Sequence, residues 1–541
     1  FRRVLFRSIA TCMATKVSVS LHSGSYDAEI VSYGGDVHAK YDRELNKTGW
    51  NFLTVWSSNF ALNNTQRSYA MGFVEGYATK EDIDVYWEAF VTNTWKSGKP
   101  PKRITQDLLY QRNYWRESHR YQEPFYRIQE VIDYQFKGLC DGYRRAGGNL
   151  TEDDMYLMAS RGDLYEILNM YPEDIKAGSF AEIRNRRGRG EIHSCSAFVR
   201  NANGKVFFAH NTWTTYTRML RIKKLYEYLT EGGAVAIEQT SYPGIFVSID
   251  DFYSVHREKN NWFIMETTNS IYDDKLYTSF VNKHLYWQRV LAALLLGNTT
   301  KSMIDNIGKD SSGTYNNQWM IFDNEAWKRE NKTGSLMVME EMRGLVKVHD
   351  VTNYLLEKES NYSWTSYNIP YDEDIMKASG FPIPTDCVPH RDARRAIMFR
   401  RDISSINSLE DARHYIRYND YLNDDLSSAV PECSYNFNET ENRSPMFAIA
   451  ARGDLLSTKE LYGAIDGKVL TSENPLKMYI VNGPTQQSLK PFKFSDHNKT
   501  VPGLPDEFNF DWYETTFIYE EDSAYFTKLV MCIGLIVLFL A

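Results

Sequence analysis

The residue types best suited to covalent chemistry stand together around Cys195. The run Glu191-Ile-His-Ser-Cys-Ser-Ala-Phe-Val-Arg200 carries a thiol, and His210-Asn-Thr-Trp213 brings an imidazole, an amide and a hydroxyl shortly after it. A cysteine that heads a strand behind a polar loop rich in arginine and glycine (Arg184, Arg186, Arg187, Gly188, Arg189, Gly190) fits a chain that cuts itself between Ser194 and Cys195. The new N-terminal residue then holds both tools of hydrolysis, a thiol nucleophile and an α-amine base. Such an amine titrates near ~8 when unperturbed, so a modest downward shift makes it a base at neutral or mildly acidic pH. A buried, inert cysteine is the commoner fate of a lone thiol, and on these residues alone it is the favoured reading.

The elements that must position these groups read as strand, turn, strand. Residues 195–200 and 205–209 are apolar or β-favouring, and Asn203-Gly204 between them tolerates the positive φ of a tight hairpin. The return strand therefore delivers His210 to Trp213 to the end at which Cys195 stands. Upstream, residues 28–32 and 50–56 read as short strands. Residues 66–95 and 103–146 have helical spacing, and Thr151-Glu-Asp-Asp154 resembles a capping box that opens a helix through 170. The aromatics of 103–146 read as a core stripe rather than a stacking platform. Arg161-Gly-Asp163 and Arg452-Gly-Asp454 carry little weight as adhesion tripeptides. Downstream, residues 214–229 read as a basic helix with Arg218, Arg221, Lys223 and Lys224 on a solvated face. Residues 234–238, 244–248, 262–268, 312–323 and 335–339 read as strands, and 281–296 as a helix. Runs of strands flanked by runs of helices, without βαβ alternation, imply a layered α+β fold.

With 541 residues, 43% of them hydrophobic and 14% aromatic, the chain can bury a large core. A net charge of −8 with no long basic face excludes a nucleic-acid partner. Nine sequons, at Asn46, Asn63, Asn149, Asn298, Asn331, Asn361, Asn438, Asn442 and Asn498, point to the secretory route. The six cysteines are too few for a disulfide scaffold and include no CxxC pair, so no zinc site and no metal is expected. Cys387 with Cys433 is the one disulfide worth naming. Residues 1–24 hold a basic start without an apolar core of signal-peptide length and stay unassigned. Residues 528–541 form a hydrophobic tail whose uncharged run falls short of the ~20 residues of a span. It reads as a cut-off membrane anchor or, about equally, as a terminal strand.

Several words in register resemble the phospholipase B-like family of N-terminal-nucleophile hydrolases. They are Cys195-Ser-Ala, His210-Asn-Thr-Trp213, Met219-Leu-Arg-Ile222, Tyr242-Pro-Gly244, Asp250-Asp-Phe-Tyr253, Glu266-Thr-Thr268, Ser312-Gly-Thr-Tyr-Asn-Asn-Gln-Trp319, Ser366-Tyr-Asn-Ile-Pro370, Arg417-Tyr-Asn-Asp420 and Gly483-Pro-Thr485. The resemblance covers roughly residues 50–512 and reverses the inert reading of Cys195. It implies a four-layer αββα sandwich of the N-terminal nucleophile hydrolase type. It also implies a mostly helical fragment 25–194, a catalytic fragment 195–527 that stays associated with it, and a lysosomal or extracellular location. Under it Cys195 is the nucleophile and its freed amine the base, and His210, Trp213 and Thr268 line the pocket. Asn211, or one of Asn316 and Asn317, donates to the oxyanion. His210 either touches substrate or positions another group. No cofactor is needed, and the substrate is a lipid or acyl amide cleaved at an ester or amide bond, with a membrane surface as a candidate partner. The arginine-rich loop and His193 depart from the family pattern and bear on self-cleavage. The competing reading is a non-catalytic glycoprotein that binds lipid or a protein partner. A papain-like protease is remote, because its local cysteine signature is absent.

Overall fold

The computed structural model describes residues 15–22, 24–174, 195–230, 233–277, 279–381, 388–428 and 443–516. Helices and strands mix in one α+β chain built on two sheets. In the long sheet the order is Leu345–Asp350, Leu336–Met342, Asn317–Asp323, Asn261–Thr268, Phe252–His256, Gly233–Ser241, Ile222–Thr230, Asn51–Ser57, Val37–Asp42, Thr15–Leu21 and Ala28–Val31. Its neighbours run antiparallel except where Asn51–Ser57 meets Ile222–Thr230. A parallel pair needs a crossover, and the helices that intervene in sequence supply it. In the short sheet the order is Ser363–Ser366, Cys195–Ala202, Lys205–Thr215, Asp466–Thr471, Lys477–Asn482 and Tyr513–Thr516, and Tyr462–Ala464 pairs with the far end of Lys205–Thr215.

Period-2 alternation distributes the side chains among three apolar clusters. Val199, Val206, Phe208, Leu470 and Ile480 of the short sheet meet Phe252, Phe263, Met265, Met320 and Val338 of the long sheet. Their strand neighbours Phe198, Phe207, Ala209 and Val469 turn the other way, onto Phe399, Ile403 and Tyr415 of the helices Arg394–Asp402 and Leu409–Tyr415 and the turn between them. The opposite face of the long sheet, through Val55, Ile237, Val255 and Ile264, packs on Phe73, Leu108, Trp115, Leu139 and Leu291 from helices. Two of these helices, Asn64–Ala78 and Pro124–Arg145, lie backbone to backbone across glycines. A Cβ at Gly142 would fall 2.0 Å from the Phe73 carbonyl oxygen, and one at Gly72 would fall 1.9 Å from that of Gln135.

The hairpin forms as the sequence implies: Asn203 and Gly204 take φ of 55° and 89°. Thr151 caps its helix through the reciprocal pair with Asp154. Three expectations fail. Residues 214–229 are not a helix, since a short turn at Tyr216–Arg218 leads into the strand Ile222–Thr230. Their charges are not solvated either. Lys224 Nζ lies 2.7 Å from Glu75 Oε1, Lys223 pairs with Glu238, and Arg221 is fully buried. Counter-charges distant in sequence let a basic segment enter the core. Residues 244–248 are irregular rather than a strand, because Gln239 and Ser241 side chains satisfy their carbonyls. Thr15–Leu21 pairs into the long sheet, so that part of residues 1–24 is structural.

Asn46, Asn63, Asn149, Asn298, Asn331 and Asn498 are exposed and Asn361 is half-buried. Ser194, Cys387, Cys433, Asn438, Asn442 and residues 528–541 lie outside the described residues. Among the described residues no helix is long and apolar enough to cross a membrane.

Candidate active site

Cys195 begins its strand opposite Thr212, and its side chain shares the face of Ala197 and Val199 that turns toward the long sheet. The residue is 3% exposed. Each of its main-chain groups is held by a side chain from elsewhere. Its nitrogen donates to Asn368 Oδ1 at 3.1 Å, and its carbonyl accepts from Arg395 Nη1. Arg395 also donates to Asn368 Oδ1 at 3.0 Å and to Ser196 Oγ at 2.9 Å, and its guanidinium lies 4.7 Å over the Trp213 ring. Asn368 Nδ2 donates to the Thr268 carbonyl at 3.0 Å, which ties the Cys195 end of the short sheet to the long one. Asn368 adopts φ of 67°, a left-handed conformation that asparagine tolerates better than most residues. It follows the strand Ser363–Ser366, which pairs with that of Cys195.

The sulfur sits in a dry, charged setting. Burial, then the charge of Glu266, pushes the thiol well up, while Lys468 and a hydrogen bond from the Trp213 amide act in the opposite direction. Such a thiol is neutral at pH 7, and only with a base could it serve as a nucleophile. Lys468 Nζ donates to Thr212 Oγ1 at 2.6 Å and to Asp466 Oδ2 at 2.8 Å, and Asp466 Oδ1 accepts from the Thr212 amide at 2.8 Å. Although burial pushes Asp466 up, Lys468 and Arg221 hold it down to about 2. Arg221 completes the network with ion pairs to Asp466, at 2.8 Å, and to Asp250. The network thus pins the backbone of Thr212, the register partner of Cys195.

His210 is fully buried, and burial, then Lys468, drives its pKa well below the usual value. The neutral ring's Nε2 lies 2.8 Å from the Glu266 carbonyl, which assigns it the proton, and Nδ1 is without a partner. His210 bridges the two sheets two register pairs along from Cys195. Trp213 contributes its amide to the sulfur, but its indole packs away with Met446, Phe447 and Ala450 and donates to Asn211 Oδ1 at 2.9 Å. Asn211 is wholly engaged: Oδ1 also accepts from the Ser196 amide at 3.0 Å, and Nδ2 donates to the Ile416 and Ile449 carbonyls at 2.6 and 2.9 Å. Asn316 donates to the Gly313 carbonyl at 3.0 Å. Asn317 stands opposite Thr268 in the long sheet, and both of its side-chain polar atoms are buried without a partner.

Asn368, Arg395, Lys468 and Asp466 belong to the site although the residue pattern did not single them out for it. Asn368 stood inside one of the family words; the other three had no local signal, since the groups of Cys195 and Thr212 that they hold lie 200 or more residues away in sequence. Among the described residues no cluster of three or more His, Cys, Asp or Glu side chains is arranged to hold a metal.

A family model described as phospholipase B matches residues 37–515. Phospholipase B-like protein G of Dictyostelium discoideum is 28% identical over 533 residues, covering 88% of this chain and 85% of that protein. Phospholipase B of Crotalus adamanteus is 28% identical, with 90% and 89% covered, and phospholipase B-like 1 of Bos taurus is 29% identical, with 88% of each covered.

Proposed function

The chain belongs to the phospholipase B family, and we propose that it is a self-processed hydrolase that removes acyl groups from a lipid through a thioester on Cys195. The observation that carries this reading is the grip on the Cys195 nitrogen. An ordinary strand residue pairs its amide with a neighbouring strand, whereas this one donates to the side chain of Asn368. When the peptide bond before Cys195 breaks, that nitrogen becomes an α-amine already oriented by the Asn368 oxygen. The adjacent Arg395 guanidinium disfavours a second positive charge, which keeps the amine a free base. The described layers, helices on each outer face of two stacked sheets, support the αββα arrangement.

In processing, the thiol adds to the Ser194 carbonyl carbon, the C–N bond to Cys195 breaks, and the nitrogen takes the proton. Water then cleaves the thioester, freeing the Ser194 carboxylate and the Cys195 thiol. In turnover the amine accepts the thiol proton as sulfur attacks an acyl carbonyl, and passes it to the departing alcohol or amine. Water hydrolyses the acyl thioester and releases the fatty acid. Among the asparagines, Asn317 carries the amide left without a partner, which supports it as the donor to the oxyanion. His210 positions the sheets rather than moving protons. The test is mass spectrometry of the mature protein after acid treatment, followed by an acyl-releasing assay with Cys195→Ala as control. The expected result is a fragment that begins at Cys195 and a lipid-derived fatty acid released only by the cleaved form. An intact wild-type chain that resists acid treatment overturns the reading.

A further inference from the structure

Among the described residues, two arginines beside this site have no carboxylate partner. Arg221, Arg289 and Arg452, all fully buried, are each neutralised by Asp or Glu. Arg218 is 3% exposed, and its Nη1 donates to Tyr165 Oη at 2.6 Å and Thr214 Oγ1 at 3.0 Å. Its Nε and Nη2 are buried without a partner. Arg161 is partly exposed, yet its Nη1 is buried and likewise unpartnered. Its guanidinium lies 3.8 Å over the Phe90 ring and 6.0 Å over that of Tyr86. The Tyr86 and Tyr242 rings are 5.4 Å apart, and the Arg218 guanidinium lies 5.3 Å over Tyr242. The two cations therefore flank one tyrosine pair, and the Tyr86 hydroxyl is itself buried without a partner.

Burying a cation without a counter-charge costs several kcal/mol, and a second cation alongside adds repulsion. The π faces return only part of that. Burial, then the charge of Arg218, already draws Arg161 down to about 10. Such a pair is stabilised when an anion reaches its unpartnered N–H groups. The location fits a substrate anion. Thr214, which holds Arg218, is two residues beyond Thr212, the partner of Cys195, and Tyr165, which also holds Arg218, lies within electrostatic reach of the sulfur.

We propose that Arg161 and Arg218, with the Tyr86 hydroxyl, form an anion subsite that takes the phosphate of a phospholipid head group. Binding there fixes where the acyl ester falls against Cys195. The inference rests on the acyl-hydrolase reading for its substrate, but not for the binding itself. Guanidinium forks suit phosphate oxygens, and a free phosphate shares that chemistry.

The experiment uses the processed protein, with a lysophospholipid and a monoacylglycerol of the same acyl chain as substrates. Arg161→Gln, at a partly exposed position, should lower the ratio of kcat/KM for lysophospholipid over monoacylglycerol by about 10- to 100-fold, the worth of one charged hydrogen bond. Arg161→Lys should recover part of that ratio. By calorimetry, glycerophosphocholine should bind the wild type and bind Arg161→Gln at least 10-fold more weakly. Equal falls on both substrates, or equal binding of glycerophosphocholine by both proteins, overturns the subsite. So does binding of inorganic phosphate without glycerophosphocholine, which makes the pair a site for the free ion. If wild type hydrolyses neither substrate, the acyl-hydrolase reading fails, and the two calorimetric titrations still decide the arginine pair.

Discussion

Replacing Asn368 tests the grip on the Cys195 nitrogen directly. Alanine removes the bond to that nitrogen at 3.1 Å, the bond from Arg395 at 3.0 Å and the donor to the Thr268 carbonyl at 3.0 Å. All of these groups are buried, and leaving one such group unpaired costs about 1–3 kcal/mol. Arg395 keeps its bonds to the Cys195 and Tyr367 carbonyls, so the three losses do not add in full. A φ of 67° adds about 1–2 kcal/mol for an alanine. The expected destabilisation of Asn368→Ala is about 3–5 kcal/mol, read by chemical denaturation. Asn368→Gly loses the same bonds without the backbone strain and should be more stable than Asn368→Ala by about 1 kcal/mol. The processing assay is a time course at pH 5 of the fragment that begins at Cys195. Both variants should slow by about 10- to 100-fold, the worth of a hydrogen bond to a nitrogen that gains charge as its peptide bond breaks. Folded Asn368→Gly that processes at the wild-type rate would refute the claim that this side chain orients the nitrogen.

Cys195→Ala should remain one intact chain by mass. Asn317→Ala should lower kcat about 100-fold or more, the usual loss for an oxyanion donor, whereas Asn211→Ala should show its main effect as lost stability, because every polar atom of Asn211 ties strands and loops together. Gly142→Ala drives a Cβ to 2.0 Å from the Phe73 carbonyl oxygen, where backbone cannot yield, and should cost about 3 kcal/mol or more, read as a fall in Tm. Burial raises Asp163 to about 7 and Asp251 to about 6. Each binds its proton more tightly in the fold than unfolded, so stability falls as pH rises from about 4 through those values, by about 1.4 kcal/mol per pH unit for each group. Tm should be higher at pH 5 than at pH 7.5, and Asp163→Asn, which keeps the acceptor for the Tyr286 amide and Thr314, should flatten the slope between pH 4 and 7.

What was legible in the sequence divides by the range of the interactions involved. The Asn203-Gly204 hairpin and the Thr151 cap arise within a few residues, so composition and spacing reveal them. The basic segment 218–224 was misread for the opposite reason. The charges of Arg221, Lys223 and Lys224 are compensated by Glu75, Glu238, Asp250 and Asp466, and no window on the sequence joins those residues to them. The same blindness hid the site's second half. Cys195 and His210 lie on one hairpin, but Asn368 and Arg395 reach Cys195 from a strand end and a helix far downstream, and Asp466 reaches Thr212 from further still. A general consequence follows for buried charge. Polar residues in a segment that alternates with period 2 belong in the core whenever distant partners exist, so the alternation Ile222, Lys224, Tyr226, Tyr228 on one face outweighs the helical look of the composition. Where partners are missing among the described residues, as at Arg161 and Arg218, the same logic turns the unpaired charge into a statement about a ligand.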